Sequence, residues 1–145
     1  MAVRSSAALY TPELLGLAVR LAECPLQEDH PLKGQARSRT CGSVVAASLA
    51  VNEGRVAALG MRVSACAVGQ AAAAIFAGSA KGQTGADLRS AADGIEAWLT
   101  GEGPMPDWPD LTMLEPALPH SGRHGAILLP WKAALDALCK TGPAD

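Results

Sequence analysis

Two cysteines frame a stretch of alternating apolar residues, Thr40-Cys41-Gly42-Ser43 before it and Ala65-Cys66-Ala67 after it. Thiols hold a soft metal or an iron–sulfur cluster, or relay a persulfide, only where they converge and ionise. The residues between them decide whether they can. Val45, Ala47, Leu49 and Val51 alternate along one run and Ala57, Leu59, Met61 and Val63 along the next, across an Asn52-Glu53-Gly54 turn. That pattern is a β-hairpin. A hairpin returns the chain to its starting edge, so Cys41 and Cys66 are expected at one end of one small sheet, close enough for one metal or a short sulfur relay.

The flanking elements follow from helical periodicity and its punctuation. Thr11 and Pro12 open a helix in which Leu14, Ala18, Leu21 and Ala22 recur until Cys24-Pro25 stops it. Residues 25–40, polar and punctuated by Pro31 and Gly34, read as a surface loop delivering Cys41. Cys66 opens an apolar, alanine-rich segment, Ala67 to Ala80, whose length favours a buried helix over a strand. A helix start offers a positive dipole end and unpaired backbone donors, surroundings that suit a nucleophilic thiol, so of the two candidate sulfur acceptors, Cys66 and Cys41, Cys66 is the better placed. Thr84 caps the next helix, with Leu88, Ala91, Ala92, Ile95, Trp98 and Leu99 inward. After a proline-rich stretch with one short helical turn near Asp110 to Leu114, a last helix is predicted from about Pro130 to Leu138. The order predicts an α+β fold, a small antiparallel sheet with helices gathered on one face.

Composition narrows the function. At 145 residues the chain is the size of one domain, residues 1–145, and 49% of it is apolar, yet only Tyr10, Phe76, Trp98, Trp108 and Trp131 are aromatic. Such a core is built from small side chains. A formal charge of −2 without a run of like charges disfavours nucleic acid. No apolar stretch approaches the ~20 residues of a membrane span, and Pro12, Glu13 and Arg20 interrupt anything like a secretory signal. The expectation is a soluble cytoplasmic protein without membrane association, where four cysteines are free thiols or ligands rather than disulfides.

With the elements in this order, Cys41-Gly42, the hairpin, Cys66 before an alanine-rich helix, the Lys81-Gly82 bend and Leu129-Pro130-Trp131-Lys132 resemble the iron–sulfur scaffold superfamily that includes IscU, the amino-terminal domain of NifU, and SufU. The resemblance spans nearly the whole chain. It implies that fold, a non-enzymatic role in iron–sulfur cluster assembly with no catalytic residue, a cysteine desulfurase and cluster-accepting proteins as partners, and a possible homodimer. It also implies an iron–sulfur cluster held transiently, or zinc, at Cys41 and Cys66, with His124 as a further candidate ligand.

Two departures stand out. The family places an Asp after the Cys-Gly pair, and here the residue is Ser43; it places a third cysteine at the last helix, and here the position is Gly125 or Ala126. Soft metals are commonly held by four ligands, so the loss of two predicts weak or transient binding. Two alternatives stand beside the scaffold reading: a zinc-binding protein that accepts persulfide from a desulfurase, and a degenerate interaction module that has lost metal chemistry. Cys24 and Cys139 lack a partner motif and are expected to be packing residues. His30 and His120 receive no role, Glu28 and Asp29 read as solvated surface, and Gly69 with its alanine neighbours reads as a close-packing face.

Overall fold

The sheet has three strands where the alternation announces two. The computed structural model describes residues 12–22, 24–39 and 42–139. Its strands β1 (Leu32–Arg37), β2 (Val44–Asn52) and β3 (Arg55–Ser64) lie in the order β1-β2-β3, each antiparallel to the next. Strand β1 corrects the expectation of a surface loop over residues 25–40. Its sequence, Leu-Lys-Gly-Gln-Ala-Arg, carries little β-propensity, and it is held by ladder pairs from Leu32↔Leu49 to Arg37↔Val44. Between β2 and β3 the turn residues Glu53 and Gly54 both have positive φ, 55° and 78°, the geometry of a type I′ hairpin.

Inner-face residues Val45, Ala47 and Leu49 are buried, opposite Val63, Met61 and Leu59. The alternation then slips. Ala50 pairs with Ala58 but Val51 pairs with Val56, leaving Ala57 as a bulge residue. In consequence Val56 is buried in place of the expected Ala57, and Val51 is exposed.

Among the described residues four α-helices cover the inner face and one another: α1 (Pro12–Leu21), α2 (Ala67–Ser79), α3 (Gly85–Leu99) and α4 (His124–Cys139). Helix α4 crosses β1 and β2 and packs on α2 and α3, while α1 packs on α2. It meets β1 at Gly34, where a Cβ would collide with the Ala137 backbone nitrogen and lie 2.5 Å from the Ala133 carbonyl oxygen. Helix α4 begins six residues before the predicted start, so Pro130 sits inside it rather than at its first turn. A short 3-10 turn, Ser121–Arg123, runs straight into the helix and supplies its start. A 3-10 helix, Leu111–Ala117, occupies the place of the short helical turn.

Helix α2 is apolar nearly all round, with Ala71, Ala72, Ala73, Ala74, Ile75 and Phe76 buried. Phe76 stacks on Trp108, and Trp131 stands edge-on to both, with centroids 5.3 and 5.2 Å away. The Trp108 Nε1–H donates to the Ile75 carbonyl at 3.0 Å. The Trp131 Nε1–H is buried without a hydrogen-bond partner among the described residues. Helix α3 opens on a capping box: Thr84 Oγ1 accepts from Asp87 N–H and Asp87 Oδ2 accepts from Thr84 N–H, each at 3.0 Å.

Among the described residues no helix lies on the outer face of the sheet. Residues 24–30 strap part of it. Met61 N–H donates to the Cys24 carbonyl at 2.9 Å, and a Cβ at Gly60 would collide with the Pro25 carbonyl. Beneath the strap the fully buried Ser48 Oγ accepts from Gln27 N–H at 3.1 Å and lies 2.8 Å from His30 Nδ1. His30, given no role from sequence, is thus a fastening of the strap.

Candidate sulfur and metal site

The hairpin ladder closes at Val44↔Ser64, so the β1–β2 connection, residues 38–43, and the β3–α2 junction, Ala65 and Cys66, leave the sheet at the same end. Cys41 lies outside the described residues, and its placement against Cys66 stays an expectation. Its neighbours define a tight connection. Gly42 has φ +71° with open space around it, so glycine is needed there for its backbone angle rather than its size. Gly42 N–H donates to the Ser38 carbonyl at 3.2 Å and Ser38 N–H to the Ser43 carbonyl at 2.8 Å. Ser43, at the position of the family's Asp, is buried.

Cys66 is the N-cap residue of α2, extended at φ −68° and ψ 175°, and its side chain caps nothing. It is half-buried against the core, neither sealed inside nor free on the surface. Its carbonyl accepts the Gln70 N–H at 3.0 Å, and the Gln70 side chain donates to the Ala65 carbonyl at 3.0 Å, which fixes the junction. One turn along, a Cβ at Gly69 would lie 2.7 Å from the Ala65 Cβ and 3.3 Å from the Ala126 Cβ. The starts of α2 and α4 therefore touch here, as the close-packing reading of Gly69 expects. Of the two positions weighed for the missing third cysteine, Ala126 is fully buried against Gly69 and Gly125 is half-buried.

The other candidates lie apart or are engaged. His124 Nε2 is 2.9 Å from the Leu118 carbonyl, which fixes the ring with Nε2 as the donor and leaves Nδ1 as the nitrogen able to take a metal. Cys24 packs as expected, its Sγ–H donating to the Leu59 carbonyl at 3.4 Å. Burial pushes the Cys24 thiol up, opposed by the nearby Lys81 ammonium. Cys139 is exposed at the end of α4 and is not the packing residue expected. Among the described residues no three His, Cys, Asp or Glu side chains gather in a group that could hold a metal ion. What these residues build is one half-buried thiol at a helix start, one turn from the Gly69–Ala126 contact, at the sheet end where Val44 pairs with Ser64.

No family model matches this sequence, and no curated protein matches it. Solved structures do. The amino-terminal domain of a nitrogen-fixing NifU-like protein from Brucella abortus superposes with a TM-score of 0.84 at 28% identity, covering 94% of this chain and 96% of that one. A protein named as an iron–sulfur cluster assembly scaffold for the SUF system, from Fervidobacterium islandicum AW-1, superposes at 0.78 with 16% identity, covering 92% and 98%. The architecture is thus that of a class of small α+β scaffolds, a three-stranded antiparallel sheet with its helices on one face. Within that class it has the fold of the IscU, NifU amino-terminal and SufU superfamily, in agreement with the resemblance carried by the two cysteine segments. No helix among the described residues is long and apolar enough to cross a membrane.

Proposed function

We propose that this chain is a divergent iron–sulfur assembly scaffold that takes up sulfur, or a nascent cluster as cargo, transiently through Cys66 and Cys41. The carrying observation is the position of Cys66: half-buried, at the N-cap of α2 with no capping bond, at the sheet end where residues 38–43 return. Neither Ala126 nor Ser43 presents a sulfur or carboxylate there, so cargo is held by fewer protein ligands than soft metals commonly have. Release is then easy and occupancy low. His124, held by the Leu118 carbonyl through Nε2, would serve as a ligand through Nδ1.

The same observation favours sulfur transfer as the second reading, because accepting a persulfide needs one nucleophilic thiol and no metal. The Cys66 thiolate attacks the terminal sulfur of a donor persulfide, the donor's S–S bond breaks, and the donor cysteine leaves as a thiolate. Cys66 then carries the new S–S bond with no net oxidation. A cysteine desulfurase is the partner chemistry this reading requires, with zinc as the metal it would bind, and a nascent cluster is the cargo in the first.

Iron, sulfide and zinc should be assayed in anaerobically prepared native protein, Cys66→Ala, Cys41→Ala and Ala126→Cys, with persulfide labelling after exposure to a sulfur donor. Substoichiometric metal in the native chain, its loss in both cysteine variants and a rise in Ala126→Cys support the scaffold. Persulfide on Cys66 without metal selects sulfur transfer. Neither metal nor persulfide at Cys66 defeats both readings and leaves the degenerate interaction module.

A further inference from the structure

Charge is divided unevenly between the sheet and the rest of the chain. Residues 31–64 hold five basic side chains, Lys33, Arg37, Arg39, Arg55 and Arg62, and one acidic one, Glu53. With 12 basic and 14 acidic residues in all, the remainder keeps 7 and 13, so a segment of formal charge +4 sits in a chain otherwise at −6. None of the three strands contains an Asp or Glu.

Register places much of this charge on one surface. Inner-face rows carry Gly34, Ala47 and Met61, or Ala36, Val45 and Val63, and the rows between them face outward: Gln35–Ala46–Arg62 and Arg37–Val44–Ser64. Arg37, Arg62, Gln35 and Ser64 are exposed, as is Arg39 in the connection beyond, while Val44 and Ala46 are only half-buried. The strap of residues 24–30 stops short of these rows, covering Ser48 and Gly60. Where it ends, Leu26, Lys33, Gln35 and Ala46 line a depression of about 250 Å³. The surface is therefore a strip of small apolar side chains between guanidinium groups on strands two apart, about 10 Å.

At the edge strand beside it one outward donor is already taken, the Gln35 N–H donating to Asp136 Oδ2 of α4 at 2.9 Å. The guanidinium groups stand on the face. Guanidinium groups pair carboxylates through planar, two-point hydrogen bonds.

We infer that the open half of the outer sheet face, around Arg37, Arg39 and Arg62, is a docking surface for an acidic protein partner whose carboxylates straddle the Val44–Ala46 strip. The cations lie on a narrow sheet face and flank an apolar strip, which the side chains of a protein can fill and a bare polyphosphate cannot. This rests on charge and register alone and stands whether or not Cys66 handles sulfur.

Binding of a fluorescein-labelled oligo-glutamate peptide, followed by anisotropy at low and raised salt, tests it. The native chain is expected to bind it in a salt-dependent manner. Arg37→Glu/Arg62→Glu should weaken binding about tenfold or more, as reversal of two exposed charges allows. Arg20→Glu/Arg89→Glu, which makes the same charge change on exposed helix positions, should change it by less than twofold. Arg37→Gln/Arg62→Gln, with circular dichroism melts on every variant, separates lost charge from lost fold. Absence of binding by the native chain, an equal loss in the helix variant, or tighter binding of labelled duplex DNA than of the peptide overturns the inference.

Discussion

Cys24 and Cys139 sit at helix ends in similar apolar sequence, and their surroundings set them apart. Burial raises the Cys24 thiol and its Sγ–H is committed to the Leu59 carbonyl, whereas Cys139 is exposed. Because the thiolate is the species alkylated, iodoacetamide should label Cys139 well before Cys24, and labelling of Cys24 should require a higher pH. Peptide mass spectrometry over a time course checks the order; faster labelling of Cys24 would mean that residues 24–30 open readily. Gly34 makes a second residue-scale test. With the α4 backbone where a Cβ would stand, Gly34→Ala must push α4 off β1 and should destabilise the fold by about 1–3 kcal/mol, the range for overpacking. A urea midpoint unchanged from the native protein would show that α4 shifts freely.

At the scale of elements, the cap of α3 is the most separable piece. Thr84→Ala removes one of two reciprocal bonds and should cost about 1 kcal/mol in a urea titration. The partner bond adds a pH signature. Hydrogen bonds from Thr84, backbone first, hold the Asp87 carboxyl below its ordinary value. A lowered folded-state pKa means the contribution is present above the unfolded value of about 4 and is lost as pH falls through the folded value. The stability difference between native protein and Asp87→Asn should accordingly shrink on acidification through that window; a difference constant down to pH 3 would place the bond's value elsewhere. This cap was legible in sequence because Thr84 and Asp87 are local, as were the turn at Glu53-Gly54 and the alanine-rich α2. Strand β1 was not, because its alternation is broken by Gly34, a residue chosen by α4 a hundred positions later. The bulge at Ala57 hid the inward Val56 for a related reason: one extra residue inverts the phase on which the pattern depends. The start of α4 was masked by Pro130, whose preference for a first turn is overridden by packing on three sides. At the candidate site the sequence marked Cys66 and Gly69 correctly as junction and packing face, while the commitment of His124 to Leu118 depends on a backbone carbonyl that carries no sequence signal.

Over the whole molecule, all three tryptophans report on one body. Trp98, Trp108 and Trp131 are 9%, 6% and 0% exposed, and all belong to the same core as the inner face of the sheet. Tryptophan emission should therefore shift to the red in a single urea transition that coincides with the loss of far-ultraviolet circular dichroism. Two separated transitions would mean that the aromatic cluster and the sheet unfold independently. The alanines of α2 bear on how such a protein changes over generations. Most cores fail when a large side chain is cut down and a hole is left behind. Ala71, Ala72 and Ala73 have almost nothing to cut, and no space around them to grow into. Mutational tolerance along that helix is thus one-sided: a substitution that adds volume at Ala71, Ala72 or Ala73 is the costly kind, while one that removes volume has little left to take.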